Sequence, residues 1–172
     1  DASVIVGPAA AHFGWGRTDY DALAGAVAAG HVIECGTQAT GGNYSFFTEV
    51  ADLSHPGFPI AEIDDDGSSV ITKHPGTGGQ VSIGTVTAQL LYEITGARYA
   101  NPDATARFDS VSLSEDGKDR VRVSGVRGAV TTTKSDWPRK SCSRSWLNSS
   151  STFGVGWAVN LARLVRLAQS RR

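Results

Sequence analysis

The sequence predicts an α/β fold: a mostly parallel sheet with helices packed on it in Rossmann-like layers, plus an antiparallel hairpin near residues 108–126. Three observations predict it. Short β-branched apolar runs end in turn residues at Ser3-Val4-Ile5-Val6-Gly7 and at His31-Val32-Ile33-Glu34-Cys35, as buried strands do. An alanine-rich stretch lies between them, so the order strand, helix, strand reads as a βαβ unit with a right-handed crossover. Two glycine-rich turns then follow apolar runs, at Gly36–Asn43 and at His74–Gly79.

Each element has a local reason. Thr18 or Asp19 can cap a helix from about Tyr20 to Ala29, and Gly30 suits the position just past its end. Ile60–Ile63 and Ser69–Thr72 flank Asp64-Asp65-Asp66-Gly67, a tight turn, and read as a hairpin. Thr85–Thr95 reads as a helix with Val86, Leu90, Leu91 and Ile94 on its apolar face and Gly96 as its stop. Phe108–Leu113 and Arg120–Val126 alternate on either side of a polar turn, which predicts a hairpin with one wet face.

Composition bounds the function. The chain has 172 residues, 40% hydrophobic and 19% charged, which suits one globular domain with a core. It contains no Met and opens on Asp1-Ala2 without a leader-like segment, which reads as a processed terminus or a piece of a longer protein. Its two cysteines, Cys35 and Cys142, point to a reducing compartment: the cytoplasm, or the mitochondrion in a eukaryote.

The net charge of −1 hides a division. Residues 135–172 carry seven Lys/Arg against one acid, and the remainder nine against sixteen. The acidic body argues against nucleic-acid binding and, with no long apolar run, against a membrane span. Residues 1–134 are expected to form the α/β domain. Residues 135–172, rich in Ser, Arg and Trp, read as an atypical basic tail, disordered or loosely helical. One reading is a mispredicted intron or a shifted frame. Its rival is a basic amphipathic helix from Trp157 to Leu167, suited to an anionic membrane.

The candidate chemistry gathers at the glycine turns. Lys73-His74 stands directly before Pro75-Gly76-Thr77-Gly78-Gly79. Lysine offers a point charge for phosphate or carboxylate, histidine offers acid–base chemistry, and free amides of a glycine loop bind an oxyanion. The start of the following helix favours negative charge at the same place. Glu34 at the other turn is a second candidate base, while Cys35 reads as a small apolar residue rather than a nucleophile. Gln38, Thr40, Gly41, Gly42 and Asn43 are expected to orient a substrate, and His12 to share the crevice. His55 reads as structural. The run Asp64–Asp66 reads as a turn rather than a cation site, and no metal spacing is present.

The words His31–Asn43 (HVIECGTQATGGN), Gly57–Ile63 (GFPIAEI), Val70–Gly79 (VITKHPGTGG), Val86–Ile94 (VTAQLLYEI), Arg98–Asp103 (RYANPD) and Asp119–Gly128 (DRVRVSGVRG) resemble the acyclic terpene utilisation (AtuA-like) family in the same order. The resemblance covers roughly the first 130 residues, Gly7-Pro8 and His12-Phe13-Gly14-Trp15 included, and departs after Thr133-Lys134. It implies an internal fragment of a large N-terminal domain. It also implies breakdown of citronellol- or geraniol-type terpenoids through a branched acyl-CoA, by a lyase or hydratase step. A CoA thioester is the implied substrate, with no separate cofactor. A homo-oligomer or a carboxylase-associated assembly is the implied state of the full-length protein. The alternative is a non-catalytic binding or assembly domain of a carboxylase-linked system. The resemblance assigns no catalytic residue, so His74, Glu34 and Lys73 rest on the residue argument.

Overall fold

The computed structural model describes residues 2–131 and the strand Val165–Leu167. A 3-10 turn, Ala2–Ile5, leads into helix α1 (Val6–Phe13) and then the long helix α2 (Tyr20–Ile33). Strands β1 (Pro59–Ile63) and β2 (Ser69–Lys73) precede helix α3 (Ile83–Leu91). Then come β3 (Arg98–Ala100), β4 (Thr105–Arg107), β5 (Ser112–Glu115), β6 (Val121–Ser124), β7 (Arg127–Ala129) and β8 (Val165–Leu167).

Two sheets form, in the orders β5-β6-β2-β1-β8 and β3-β4-β7. Five of the six strand pairings among the described residues are antiparallel, and only β1 with the short β8 is parallel. The mostly parallel, Rossmann-like sheet expected from the sequence is therefore incorrect. The cause is specific: both supposed strands of the βαβ unit are helical. Residues 3–7 belong to the opening 3-10 turn and α1, and residues 31–33 are the last turn of α2.

Helix α2 explains the reversal. Every residue from Leu23 to Ile33 is buried. It packs against β1 and β2 of one sheet and β4 and β7 of the other. A segment covered on all sides reads as a continuous apolar run whether it is helix or strand. Gly30 does not stop it. A Cβ there would overlap the carbonyl of Ala2, so the glycine lets the opening turn lie directly on the helix. Gly25 does the same beneath the carbonyl of Gly67 in the β1–β2 turn. Close backbone approach brings Val27 and Val32 to full burial, worth about 2 kcal/mol for each such side chain.

The two hairpins follow from their turns. β1 and β2 pair from Pro59↔Lys73 to Ile63↔Ser69, and β5 and β6 from Ser112↔Ser124 to Glu115↔Val121. Ion pairs tie the hairpins together: Arg122 to Asp64 at 2.9 Å and Arg120 to Glu62 at 2.7 Å. Helix α3 begins at Ser82, which exchanges hydrogen bonds with Thr85 in a capping box. It ends at Leu91 rather than Thr95, because Tyr92 turns extended and Glu93 takes φ +58°. The proposed tail helix lies outside the described residues up to 164, and Val165–Leu167 form a strand instead.

Candidate functional site

The second glycine turn does line a cleft. An open depression of about 960 Å³ is bounded by Lys73, Thr77, Gly79, Ser82, Asp119 and Arg120, with Gly76 and Gly78 in the same wall. Lys73 ends β2 on its floor. The side chain is only 7% exposed, and its Nζ donates to the Thr77 carbonyl at 2.7 Å and lies 3.7 Å from Asp119 Oδ2. Antiparallel β2 delivers the lysine here because the chain turns at Pro75-Gly76, with Gly76 at φ +74°.

Asp119 is the residue sequence reasoning missed. It sits in the β5–β6 turn at φ +54° and its Oδ1 accepts the Val81 amide at 3.0 Å. One carboxylate thus joins the hairpin turn, the approach to α3 and Lys73. Its only signal in the sequence was an unusual polar turn, Asp116–Asp119, which hairpins supply without any site.

The amides of the turns are directed inward. Gly78 N–H donates to His55 O, Gly79 N–H to Ala51 O and Gln80 N–H to Thr40 O, at 3.0, 3.0 and 2.8 Å. In the first turn the amides of Gly41 and Asn43 donate to Gln38 O, and that of Gly42 to Thr37 O. The amides of Gly41, Gly42 and Asn43 in one turn, and of Gly78, Gly79 and Gln80 in the other, are thus not free for a ligand. The turns instead pack on one another. Thr40 Oγ1 donates to Gly57 O at 2.7 Å, and a Cβ on Gly79 would lie 2.7 Å from Thr40 O.

The remaining candidates disperse. Gln38, Thr40, Gly41, Gly42 and Asn43 lie outside the cleft lining, and Asn43 Nδ2 donates to Ala88 O on α3 at 3.3 Å. His74 is half-buried beside Lys73 but does not line the cleft; its carbonyl accepts from Thr77 Oγ1 at 2.6 Å. His12 is exposed at the end of α1, edge-on to Phe13. Glu34 lies just past α2, with Oε1 3.1 Å from Nδ1 of buried His31. Cys35 is half-buried with a free thiol. Asp66 Oδ1 accepts the Ser68 amide at 2.8 Å inside the β1–β2 turn. Among the described residues no group of three or more His, Cys, Asp or Glu is arranged to hold a metal, and no helix is long and apolar enough to cross a membrane.

The electrostatics differ around the molecule. Asp52, on the cleft rim, titrates below the usual carboxylate range because the Ser54 hydroxyl bonds it and His55 stands beside it. Tyr99, packed on His31, titrates above the usual phenol range because of burial first and the Glu34 charge second.

A family model described as acyclic terpene utilisation family protein AtuA matches residues 1–152. The match continues past Lys134, where the composition changes. No curated protein and no solved structure matches the chain. The chain belongs to the acyclic terpene utilisation family.

Proposed function

From that membership, we propose that the domain acts on a branched acyl-CoA in terpenoid catabolism, by a lyase or hydratase step, with the Lys73 cleft as its substrate site. One observation carries the reading: a lysine whose side chain is 7% exposed on the floor of an open cleft. A compact ammonium in partly excluded solvent attracts a thioester, carboxylate or phosphate oxygen more strongly than one in water. Because the Gly78 and Gly79 amides are occupied, Lys73 replaces the loop as the source of positive charge, and the start of α3 at Ser82 adds its dipole. His74, next to Lys73 in the chain but outside the cleft lining, is the proposed proton carrier.

The test is a panel of branched acyl-CoA thioesters on the purified protein, with turnover followed by mass spectrometry and binding by calorimetry. Lys73→Met is expected to weaken binding at least tenfold, about 1.4 kcal/mol. His74→Ala is expected to bind and not turn over. Unchanged turnover in both variants sinks the assignment.

The dispersal of Glu34 from Lys73 favours a second reading, a non-catalytic binding or assembly domain serving a carboxylase-linked system. In that reading no panel member turns over, Lys73→Met still weakens ligand binding, and a partner enzyme co-purifies with the wild type.

A further inference from the structure

Helices α2 and α3 meet at a buried polar pair away from the cleft. His31 is 1% exposed and Gln89 0%. Among the described residues, His31 Nε2 and Gln89 Oε1 find no hydrogen-bond partner. Neither residue lines the Lys73 cleft.

The chemistry of the missing partner can be deduced. A carboxylate only accepts, so Glu34 Oε1, 3.1 Å from His31 Nδ1, holds the ring proton on that nitrogen. Nε2 of the neutral ring then carries a lone pair. Gln89 Nε2 faces the His31 carbonyl at 3.4 Å, and the flipped amide would set oxygen against oxygen. Both unmet atoms are therefore acceptors and cannot satisfy each other. Leaving a buried acceptor unmet costs about 1–3 kcal/mol. Tyr99 and Phe108 close over the imidazole, with centroids 4.9 and 5.5 Å away, so the ring is also fixed in direction.

We propose that His31 Nε2 and Gln89 Oε1 are acceptors for an O–H donor, either an internal water that donates to both or the hydroxyl of an alcohol ligand that donates to His31 Nε2, with the Glu34 carboxylate keeping the lone pair on that nitrogen. Other titratable groups close to the site are Tyr99 on β3 and Cys35 beyond α2. The charges of Glu34, Glu93 and Cys35 all act on the Tyr99 phenol. The site stands independently of the Lys73 reading.

The full chain, labelled with ¹⁵N, tests this at neutral pH. Long-range proton–nitrogen spectra are expected to show His31 protonated at Nδ1 and bare at Nε2. Cross-relaxation is expected from a water or hydroxyl proton to the His31 ring and the Gln89 amide. Isoamyl alcohol is the probe that separates the sources: displacement of the water signal identifies a ligand hydroxyl site, and its persistence an internal water. A proton on Nε2 in the neutral ring overturns the proposal, as does cross-relaxation to Nε2 from a protein side chain instead. Gln89→Leu is expected to lose the water signal while keeping the Nδ1 tautomer. If that variant does not fold, the wild-type spectrum alone decides.

Discussion

The two polar regions lie at opposite ends of one helix and are built in opposite ways. Ser82 starts α3 at the Lys73 cleft, and Gln89 carries its far end into the His31 cluster, about 10 Å away at the helical rise. At the cleft the backbone polar groups are paired: Gly79 with Ala51, Gln80 with Thr40, Val81 with Asp119, Ser82 with Thr85. What remains is Lys73, paired with Asp119 at 3.7 Å, over an open depression whose lining also carries Glu49, Asp52, Glu115, Lys118 and Arg120. At the cluster the Tyr99 and Phe108 rings pack on His31, and two buried polar atoms lack partners among the described residues. A satisfied frame can present a charge to a passing ligand without rearranging, whereas an interior with two unmet acceptors asks for a resident.

The largest expected effect breaks the frame at the cleft. Gly79 and Gly76 both hold positive φ, +75° and +74°. A Cβ on Gly79 meets Thr40 O at 2.7 Å, whereas one on Gly76 meets nothing within 4 Å. Gly79→Ala is expected to destabilise by about 3 kcal/mol, from backbone strain plus overlap. Gly76→Ala is expected to carry only the strain, about 1 kcal/mol. Thermal melts of the pair measure the difference, and equal losses would show that the two glycine turns do not depend on one another.

The next effect tests the cluster by its sign. If Gln89 Oε1 has no partner in solution, Gln89→Leu removes a buried polar group and should leave stability unchanged or higher. The O–H site predicts the reverse, a loss of about 1–2 kcal/mol in chemical denaturation. Third comes the cap. Ser82→Ala removes half of the box at the start of α3 and is expected to lower stability by about 1 kcal/mol. It should weaken ligand binding at the cleft while leaving the His31 tautomer alone, because the two sites share a helix and not a side chain.

The contrast also explains what the sequence could and could not disclose. Turn chemistry is local, so Asp64–Gly67 and Glu115–Asp119 announced their hairpins from the residues alone. Helix α2 was half legible: Tyr20–Ala29 reads as helix by composition, but Val32-Ile33 are β-branched and Gly30 looks like a stop. Only the opening turn lying on Gly30 shows that the glycine serves close approach and that the helix continues. Because that last turn was read as a strand, the His31–Glu34 spacing of one helical turn stayed hidden. The cleft was legible at Lys73 and Gly76–Gly79, which are contiguous. Asp119 was not, since nothing within 40 residues of Lys73 indicates which turn will fold back over it.

The smallest effects are those of pH, and they separate the two ends by direction. Asp52 on the cleft rim has its folded pKa lowered by the Ser54 hydroxyl and then by His55. A depressed carboxylate contributes stability above its unfolded pKa, and that contribution is lost as pH falls through the lower folded value. Full exposure makes the effect slight and readily screened by salt. Tyr99 at the cluster has its folded pKa raised, chiefly by burial and then by Glu34. Its contribution is intact below the unfolded phenol value of 10.0 and is lost as pH rises through the folded one. Acid should therefore loosen the cleft rim first and alkali the cluster first. Ser54→Ala is expected to flatten the acid limb of the stability curve, and Tyr99→Phe the alkaline limb, with ultraviolet titration placing the Tyr99 ionisation above that of exposed tyrosines. Were Tyr99→Phe to leave the alkaline limb unchanged, the ring would not be ionising against Glu34, and the cluster would be less closed than the packing of Tyr99 and Phe108 over His31 indicates.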